Sequence, residues 1–223
     1  HESYTTDPLT LAAKRAVDAG IVVVASAGNL GRAKDGSPQY GAIGAPGNAP
    51  WVLTVGASSH NGTAWRVDDK IAPFSSRGPT MYDFGAKPDL VAPGTGTVAL
   101  SDPLSRMYGE KAAYLVGGLL SGLGNKPYLS LSGTSMAAPV VSGTVALMLH
   151  ANPNLTPNMV KAILQFTSEV KRDYDLLTQG AGFLNTLGAV RLSRYFATAQ
   201  KGDRYPEMRG WSKHILWGNY RVR

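Results

Sequence analysis

The run IVVVASA, residues 21–27, is apolar at nearly every position and rich in β-branched side chains. A strand that is apolar throughout is typical of a parallel sheet covered by helices on both faces, because a half-exposed strand alternates instead. An amphipathic segment leads directly into this run. Asp7 suits a helix N-cap, Pro8 the first helical position and Gly20 the helix end. The sequence therefore predicts a helix over residues 8–19 followed by a buried parallel strand.

The alternation of strand and helix continues along the chain. Two more short strands are predicted at 51–57 and 89–94, each bounded by Gly or Pro. A segment that is apolar all round predicts a buried helix over 135–150. A further helix is predicted to begin after Thr156, with Pro157 at its first position. We therefore expect an α/β fold with a parallel central sheet flanked by helices.

Composition restricts the classes of protein that fit. The 223 residues are 43% hydrophobic and 17% charged, which favours one folded domain over disorder. No run of 18 or more apolar residues occurs, so no membrane span is predicted. The absence of cysteine excludes disulfides and thiolate chemistry. The Gly- and Pro-rich connections at 31–50 and 101–127 are predicted to be surface loops.

Positive charge is concentrated in the last 30 residues. Residues 194–223 hold seven Lys or Arg against two Asp or Glu, interleaved with Tyr205, Trp211, Trp217 and Tyr220. Such a mixture suits stacking on bases or sugars and pairing with anionic polymers. No nucleic-acid-binding motif accompanies it, so we do not predict nucleic acid as a partner and expect the aromatic residues to pack on the main body.

The first candidate for chemistry is a serine at the predicted start of a helix. In SGTSMAAPVVSG, residues 132–143, Ser135 lies among small residues that leave it open to a substrate and a base. Its backbone N–H falls in the first helical turn, where the helix dipole favours a developing negative charge. Ser135 is thus a candidate nucleophile that also contributes to an oxyanion hole; alternatively, it only caps the helix.

The second candidate follows the predicted central strand. Asn29 lies at its carboxyl end, where open α/β sheets place their ligands, and Gly28 and Gly31 flank it. A side-chain amide there can donate a hydrogen bond to an oxyanion. Alternatively, Asn29 only occupies a left-handed turn. The catalytic interpretation requires the loops of Asn29 and Ser135 to meet.

Several segments resemble the subtilisin-like serine proteases, or subtilases. GTSMAAPVVSG (133–143) is similar to the family's nucleophile motif, and VVVASAGNLG (22–31) to its oxyanion-asparagine strand. Three more resemble subtilase segments in the family's order: APGNAPWVLTVGA (45–57), FSSRGPT (74–80) and KPDLVAPG (87–94). The resemblance covers roughly residues 4–190. It implies a three-layer subtilisin-like fold, peptide-bond hydrolysis through an acyl-enzyme, and secretion.

The resemblance also assigns roles. Ser135 would be the acylating nucleophile, and Asn29 with the Ser135 amide would form the oxyanion hole. Substrate-binding positions would be Ala25, Ser26, Ala27, Gly28, Gly44, Ala45, Pro46, Gly47 and Thr134. Leu30 at the pocket rim favours an apolar or broad substrate preference. No cofactor is predicted and no metal ligand is assigned, although the resemblance allows a structural calcium ion.

One departure from the family pattern is large. Subtilases place their catalytic Asp and His before the oxyanion Asn in the chain, and neither motif occurs here. We interpret Asp83 as a turn residue and Asp89 as a strand-edge residue, and we assign structural roles to all four histidines: His1, His60, His150 and His214.

This departure leads to an expectation about completeness. Residues 1–193 would be the C-terminal part of a catalytic domain, residues 194–223 a basic, aromatic tail, and the partner an N-terminal half that supplies the Asp and His. Alone, the chain is expected to be nearly inactive, because a serine without a base is barely nucleophilic. It is also expected to associate through an exposed sheet edge.

The sequence lacks the motifs of three other classes of protein. A nucleotide-binding protein would need G-x-G-x-x-G after a strand, an α/β-hydrolase G-x-S-x-G, and a zinc protease H-E-x-x-H. None of these motifs is present, and the serine motif itself reads GTSMA at residues 133–137, not G-x-S-x-G. A non-catalytic scaffold that keeps the subtilase frame and binds an anionic polymer or cell surface through its tail stays open as the alternative.

Overall fold

The computed structural model of the protein describes residues 2–118 and 126–216. Six α-helices lie in these ranges: α1 (Pro8–Asp18), α2 (Arg106–Glu110), α3 (Thr134–Ala151), α4 (Pro157–Thr167), α5 (Leu176–Gln179) and α6 (Thr186–Thr198). The strands there are β1 (Val24–Ser26), β2 (Leu53–Ser59), β3 (Lys70–Ile71), β4 (Leu90–Pro93), β5 (Thr97–Leu100), β6 (Leu115–Val116) and β7 (Tyr128–Leu131). Helix starts follow the predicted caps, since Asp7 and Thr156 accept bonds from the first turns of α1 and α4.

The central sheet is parallel at its core. β2 pairs in parallel with β1 on one side, Val24 opposite Leu53, and with β4 on the other, Val55 opposite Leu90. Only the short β3 adds to β2 in the antiparallel sense. This arrangement confirms the predicted α/β class with a parallel centre.

Alternation along the strands builds two packed faces. Val24 packs into the main core with Leu53 and Val55, whereas the next residue, Ala25, packs into a second cluster on the opposite face. The main core contains residues of α3, α4 and α6, and the second cluster includes Ala13 of α1. Helices therefore cover both faces of the sheet, giving three layers.

Helix α3 lies on the main core face. Ala137, Val141, Val145 and Met148 recur at helical spacing and are buried against β1, β2 and β4. By length and composition alone, α3 is long and apolar enough to cross a membrane, but 33% of that window is buried inside the protein, and core helices of soluble proteins pass the same test.

A second, smaller sheet was not predicted. In this sheet β7 pairs antiparallel with β5 and with β6. Two elements, α2 and β6, lie within the segment 101–127 that was predicted to be a loop. The prediction of an unstructured connection there was therefore wrong. The strands escaped notice because they are two to four residues long and obtain their hydrogen bonds from distant partners.

A buried charge cluster lies at the amino end of β4. The Asp89 carboxylate, fully buried, accepts from Lys87 Nζ at 2.6 Å and lies 3.1 Å from Lys161 Nζ. Gln165 Nε2 and the Thr54 N–H also donate to it. Burial lowers the pKa of Lys87 to about 7, although the charge of Asp89 opposes the shift. Asp89 lies just before β4, as expected. It is also the centre of a buried cluster that includes Lys87 and Lys161, which was not predicted.

The C-terminal segment runs back onto the body. α6 continues through residues 193 and 194, and Trp211, 6% exposed, packs edge-to-face on Phe166. The Leu216 N–H donates to Gln165 Oε1 and its carbonyl accepts from Gln165 Nε2. Tyr205 also contacts Phe166. Trp217, Tyr220 and His1 lie outside the described residues.

Candidate active site

The site forms at the carboxyl edge of the parallel sheet. After β4, the carbonyl of Gly94 accepts from the Gly133 N–H at 2.8 Å, which fixes the start of α3 at this edge. A Cβ on Gly94 would lie 2.8 Å from the carbonyl oxygen of Gly133 and 3.1 Å from Ala137 Cβ. Only a glycine therefore allows the helix to approach so closely.

The loop after β1 meets this helix start. Asn29 Oδ1 accepts two hydrogen bonds from Thr134, from its N–H at 2.9 Å and from its hydroxyl at 3.0 Å. The same hydroxyl accepts from the Gly28 N–H at 3.2 Å. Because the side-chain carbonyl of Asn29 is thus occupied, its amide Nδ2 is the group left to donate. The two loops that had to meet for an oxyanion hole do meet in this structure.

Ser135 follows Thr134 in the first turn of α3 and is exposed. Within the described part of the chain its N–H has no acceptor, whereas the next amide, of Met136, donates to the Gly133 carbonyl. The start of α3 therefore brings together one unpaired backbone donor, on Ser135, and one side-chain amide, on Asn29, whose Nδ2 lies 3.4 Å from where a Cβ on Gly133 would stand. Such a donor pair suits an oxyanion.

An apolar groove opens on another side of Ser135. Its volume is about 600 Å³, and its walls come from β5, β7 and the first turns of α3. Leu129, Leu131, Met136 and Val140 are among its lining residues. The groove places a large apolar surface directly beside the candidate nucleophile.

The predicted substrate-binding segments also lie together. A Cβ on Gly47 would sit 3.2 Å from the carbonyl oxygen of Ser26 and 3.3 Å from that of Gly44, so the turn at 44–47 packs against the end of β1. The Thr54 hydroxyl donates to the Gly47 carbonyl at 2.7 Å and secures the turn. Thr134, predicted from the sequence to bind substrate, has its polar groups bonded to Asn29 and Gly28.

The described residues contain no histidine placed to serve Ser135. His150 lies at the other end of α3, about 22 Å away at 1.5 Å per residue. His60 accepts a bond from Gly62 within its own loop, and His214 lies in the C-terminal segment. Asp83 accepts from Ser3 and the Tyr4 N–H, as a turn residue that holds the N-terminal segment.

The sequence analysis missed the residues that hold the Asn29 loop from behind. Phe74, Ser76 and Arg77 exchange hydrogen bonds with residues 28–31. The motif FSSRGPT was noticed only for its resemblance to a family segment, and nothing in its pattern indicated which loop it would contact.

Comparison with known proteins decides the family. The sequence profile of the subtilase family, Peptidase_S8, matches residues 2–189. The chain belongs to the subtilase family. Among curated subtilases, the serine protease AprX of Bacillus subtilis is 41% identical over 184 residues, which is 82% of this chain and 38% of AprX. The minor extracellular protease Vpr of the same organism is 32% identical over 133 residues, 56% of this chain and 14% of Vpr.

Solved subtilase structures match the fold. Fervidolysin from Fervidobacterium pennivorans, a keratinolytic enzyme related to subtilisin, superposes with a TM-score of 0.60 at 27% identity, covering 85% of this chain and 25% of fervidolysin. The prenylagaramide maturation protease PagA gives a TM-score of 0.54 at 25% identity, covering 81% of this chain and 54% of PagA. The predicted subtilisin-like fold is confirmed. This subtilase chain spans well under two thirds of the length of these relatives.

Proposed function

We propose that the chain carries the nucleophile and oxyanion hole of a serine endopeptidase. Ser135 Oγ attacks the scissile carbonyl, the peptide C–N bond breaks as the acyl-enzyme forms, and water then hydrolyses the ester. The negative oxygen of each tetrahedral intermediate is held by Asn29 Nδ2 and the Ser135 N–H. The observation that carries the proposal is the pair of hydrogen bonds from Thr134 to Asn29 Oδ1, which leaves the Asn29 amide free at the helix turn that carries Ser135.

The general base belongs to polypeptide outside residues 1–223 in this proposal. A base must reach the Ser135 hydroxyl within hydrogen-bond distance, and His60, His150 and His214 do not contact it. An upstream histidine would take the proton from Ser135 and deliver it to the leaving amine. Residues 1–193 would then be the C-terminal part of the catalytic domain, and residues 194–223 its tail.

Exposed apolar surface supports a covering partner. α3 leaves Leu147 53% exposed, and Pro139 and Ala146 lie on the same open side. The edge of β1 away from β2 has no strand partner among residues 2–118 and 126–216. Pro139 also lines the groove beside Ser135. An N-terminal half would bury the open side of α3 and pair with the free edge of β1.

The substrate proposed is a polypeptide, bound between segments 25–28 and 44–47. The described residues of these two segments are uncharged, which suits apolar or small side chains over basic ones. Secretion is inferred from the relatives, one of which is described as an extracellular protease.

A chimera tests the proposal. The AprX sequence that precedes the matched segment is fused ahead of residue 2, and amidase activity and labelling by a fluorophosphonate probe are measured. The AprX chimera should hydrolyse peptides and be labelled at Ser135, its Ser135→Ala variant should do neither, and the chain of 223 residues should be nearly inactive. Strong activity of that chain alone would contradict an external base, and a folded but inert AprX chimera would contradict the assignment as an endopeptidase.

A further inference from the structure

Two peptide groups define the position of Asn29, and a single residue holds both. The carbonyl of Gly28, in the peptide group before Asn29, accepts from the Ser76 N–H at 2.9 Å. The N–H of Leu30, in the peptide group after Asn29, donates to Ser76 Oγ at 3.0 Å. The backbone on each side of the Asn29 Cα is therefore bonded to Ser76.

The surroundings make this attachment tight. Ser76 is fully buried, and a Cβ on Gly28, whose φ is +101°, would lie 2.9 Å from its hydroxyl oxygen. On the next turn of the loop, a Cβ on Gly31 would lie 2.0 Å from the carbonyl oxygen of Ser75. The Ser76 hydroxyl is therefore enclosed against the Asn29 loop, with no exposed surface.

We propose that Ser76 is a positioning residue for the oxyanion hole. The inference rests on the proposed function, in which Asn29 Nδ2 binds the oxyanion. Thr134 fixes the side-chain carbonyl of Asn29, whereas Ser76 fixes its backbone, and both are required to aim the amide. A misplacement of about 1 Å in such a site can cost on the order of 10²-fold in rate, so loss of the Ser76 hydroxyl should slow catalysis without weakening ground-state binding.

The adjacent serine offers a matched control. Ser75 is also fully buried, and its hydroxyl also accepts from a backbone N–H, at 2.9 Å. That N–H belongs to Ala57 in β2, inside the sheet. Ser75→Ala therefore removes the same kind of bond at the same depth, but one that holds a strand and not the Asn29 loop.

The kinetic experiment uses the AprX chimera with Ser76→Ala and Ser75→Ala. Ser76→Ala should lower kcat roughly tenfold with KM changed less than twofold, and should weaken a peptide aldehyde, which forms a tetrahedral adduct, by the same factor. Ser75→Ala should lower Tm by about as much as Ser76→Ala does, yet keep kcat within about twofold of that of the unsubstituted AprX chimera. Equal effects of the two variants on kcat, or no effect of Ser76→Ala, would overturn the inference.

A second measurement does not depend on activity. Amide hydrogen exchange of residues 28–31 should accelerate in Ser76→Ala and stay unchanged in Ser75→Ala, in the AprX chimera and in the chain alone. If the AprX chimera is inactive but exchange accelerates as stated, positioning by Ser76 stands and the proposed function fails. Unchanged exchange in Ser76→Ala would refute positioning whatever the activity. If Ser76→Ala does not fold, Ser76→Cys, whose sulfur is slightly larger than the hydroxyl oxygen and a much weaker acceptor, should show the same slowed kcat and faster exchange.

Discussion

Thr134 donates both its backbone N–H and its hydroxyl to the side-chain carbonyl of Asn29, at 2.9 and 3.0 Å. Residue 134 thereby fixes the orientation of a side chain more than 100 positions earlier in the chain, and does so one residue before the candidate nucleophile. An amide has one carbonyl and one NH₂ group, so holding the carbonyl also determines where the amide hydrogens point.

Replacing Asn29 by Ala removes the side-chain donor of the proposed oxyanion hole. In the AprX chimera we expect kcat to fall by about 10²–10³-fold with little change in KM, a magnitude measured for this type of donor in subtilisin, a member of the same family. Asn61→Ala, at an exposed loop residue, is the control and should leave kcat unchanged. Retention of full activity in Asn29→Ala would exclude Asn29 from the reaction.

Replacing Thr134 by Val removes one of the two donors to Asn29 and also the acceptor for the Gly28 N–H. The backbone bond stays, so we expect a decrease in kcat of roughly tenfold, smaller than for Asn29→Ala. Thr144→Val is matched, since Thr144 lies in the same helix, is buried and bonds Thr186. A loss of stability without a specific loss of kcat would mean that Thr134 is only structural.

The buried Lys87 should give stability a distinctive pH dependence. Its pKa is lowered by burial to about 7 from the usual 10.5, so between these values the unfolded chain binds more protons than the folded one. The free energy of unfolding should therefore rise from pH 7 towards pH 10.5, while below pH 7 the cost of burying the charge is present in full.

Lys87→Met should remove most of that rise. The measurement is the urea midpoint from pH 6.5 to 10, with exposed Lys14→Met as the control that should keep the wild-type slope. A slope in Lys87→Met as steep as in the wild type would show that other groups cause the dependence.

Trp211 tests whether the C-terminal segment belongs to the folded body. It is 6% exposed and packs on Phe166 and against Gly188. Trp211→Ala should lower the free energy of unfolding by about 3–5 kcal/mol. Trp65→Ala, at a tryptophan that is 75% exposed, should change it by about 0.5 kcal/mol or less. Similar small losses for both would show that the segment is only loosely attached.

Local patterns predicted the central elements well. α1 and α4 begin at the predicted caps, and the helix predicted over 135–150 is α3, Thr134–Ala151. Short sequence signals suffice here because caps, prolines and apolar periodicity act within one or two turns. The candidate site residues Ser135 and Asn29 were predicted from the same local patterns, together with the family resemblance.

Long-range partners could not be predicted in the same way. Nothing in the sequence indicates that Lys87, Asp89 and Lys161 are buried together. Only the folded chain brings the two ammonium groups to one buried carboxylate. Likewise, two consecutive serines at 75 and 76 are equivalent in the sequence, yet one accepts from the Ala57 N–H of β2 and the other from the Leu30 N–H of the Asn29 loop. Only the folded chain determines which backbone group each hydroxyl meets.

The mounting of Ser135 has a consequence for thermal inactivation. Its hydroxyl faces solvent, but the helix that carries it is anchored by Ala137, Val141 and Met148, all without exposed surface. Displacing the Ser135 hydroxyl therefore requires unfolding of the main core, whereas local opening of the outer loops leaves the start of α3 in place. In the AprX chimera of the proposed enzyme, heating should therefore abolish activity and cooperative structure in the same transition.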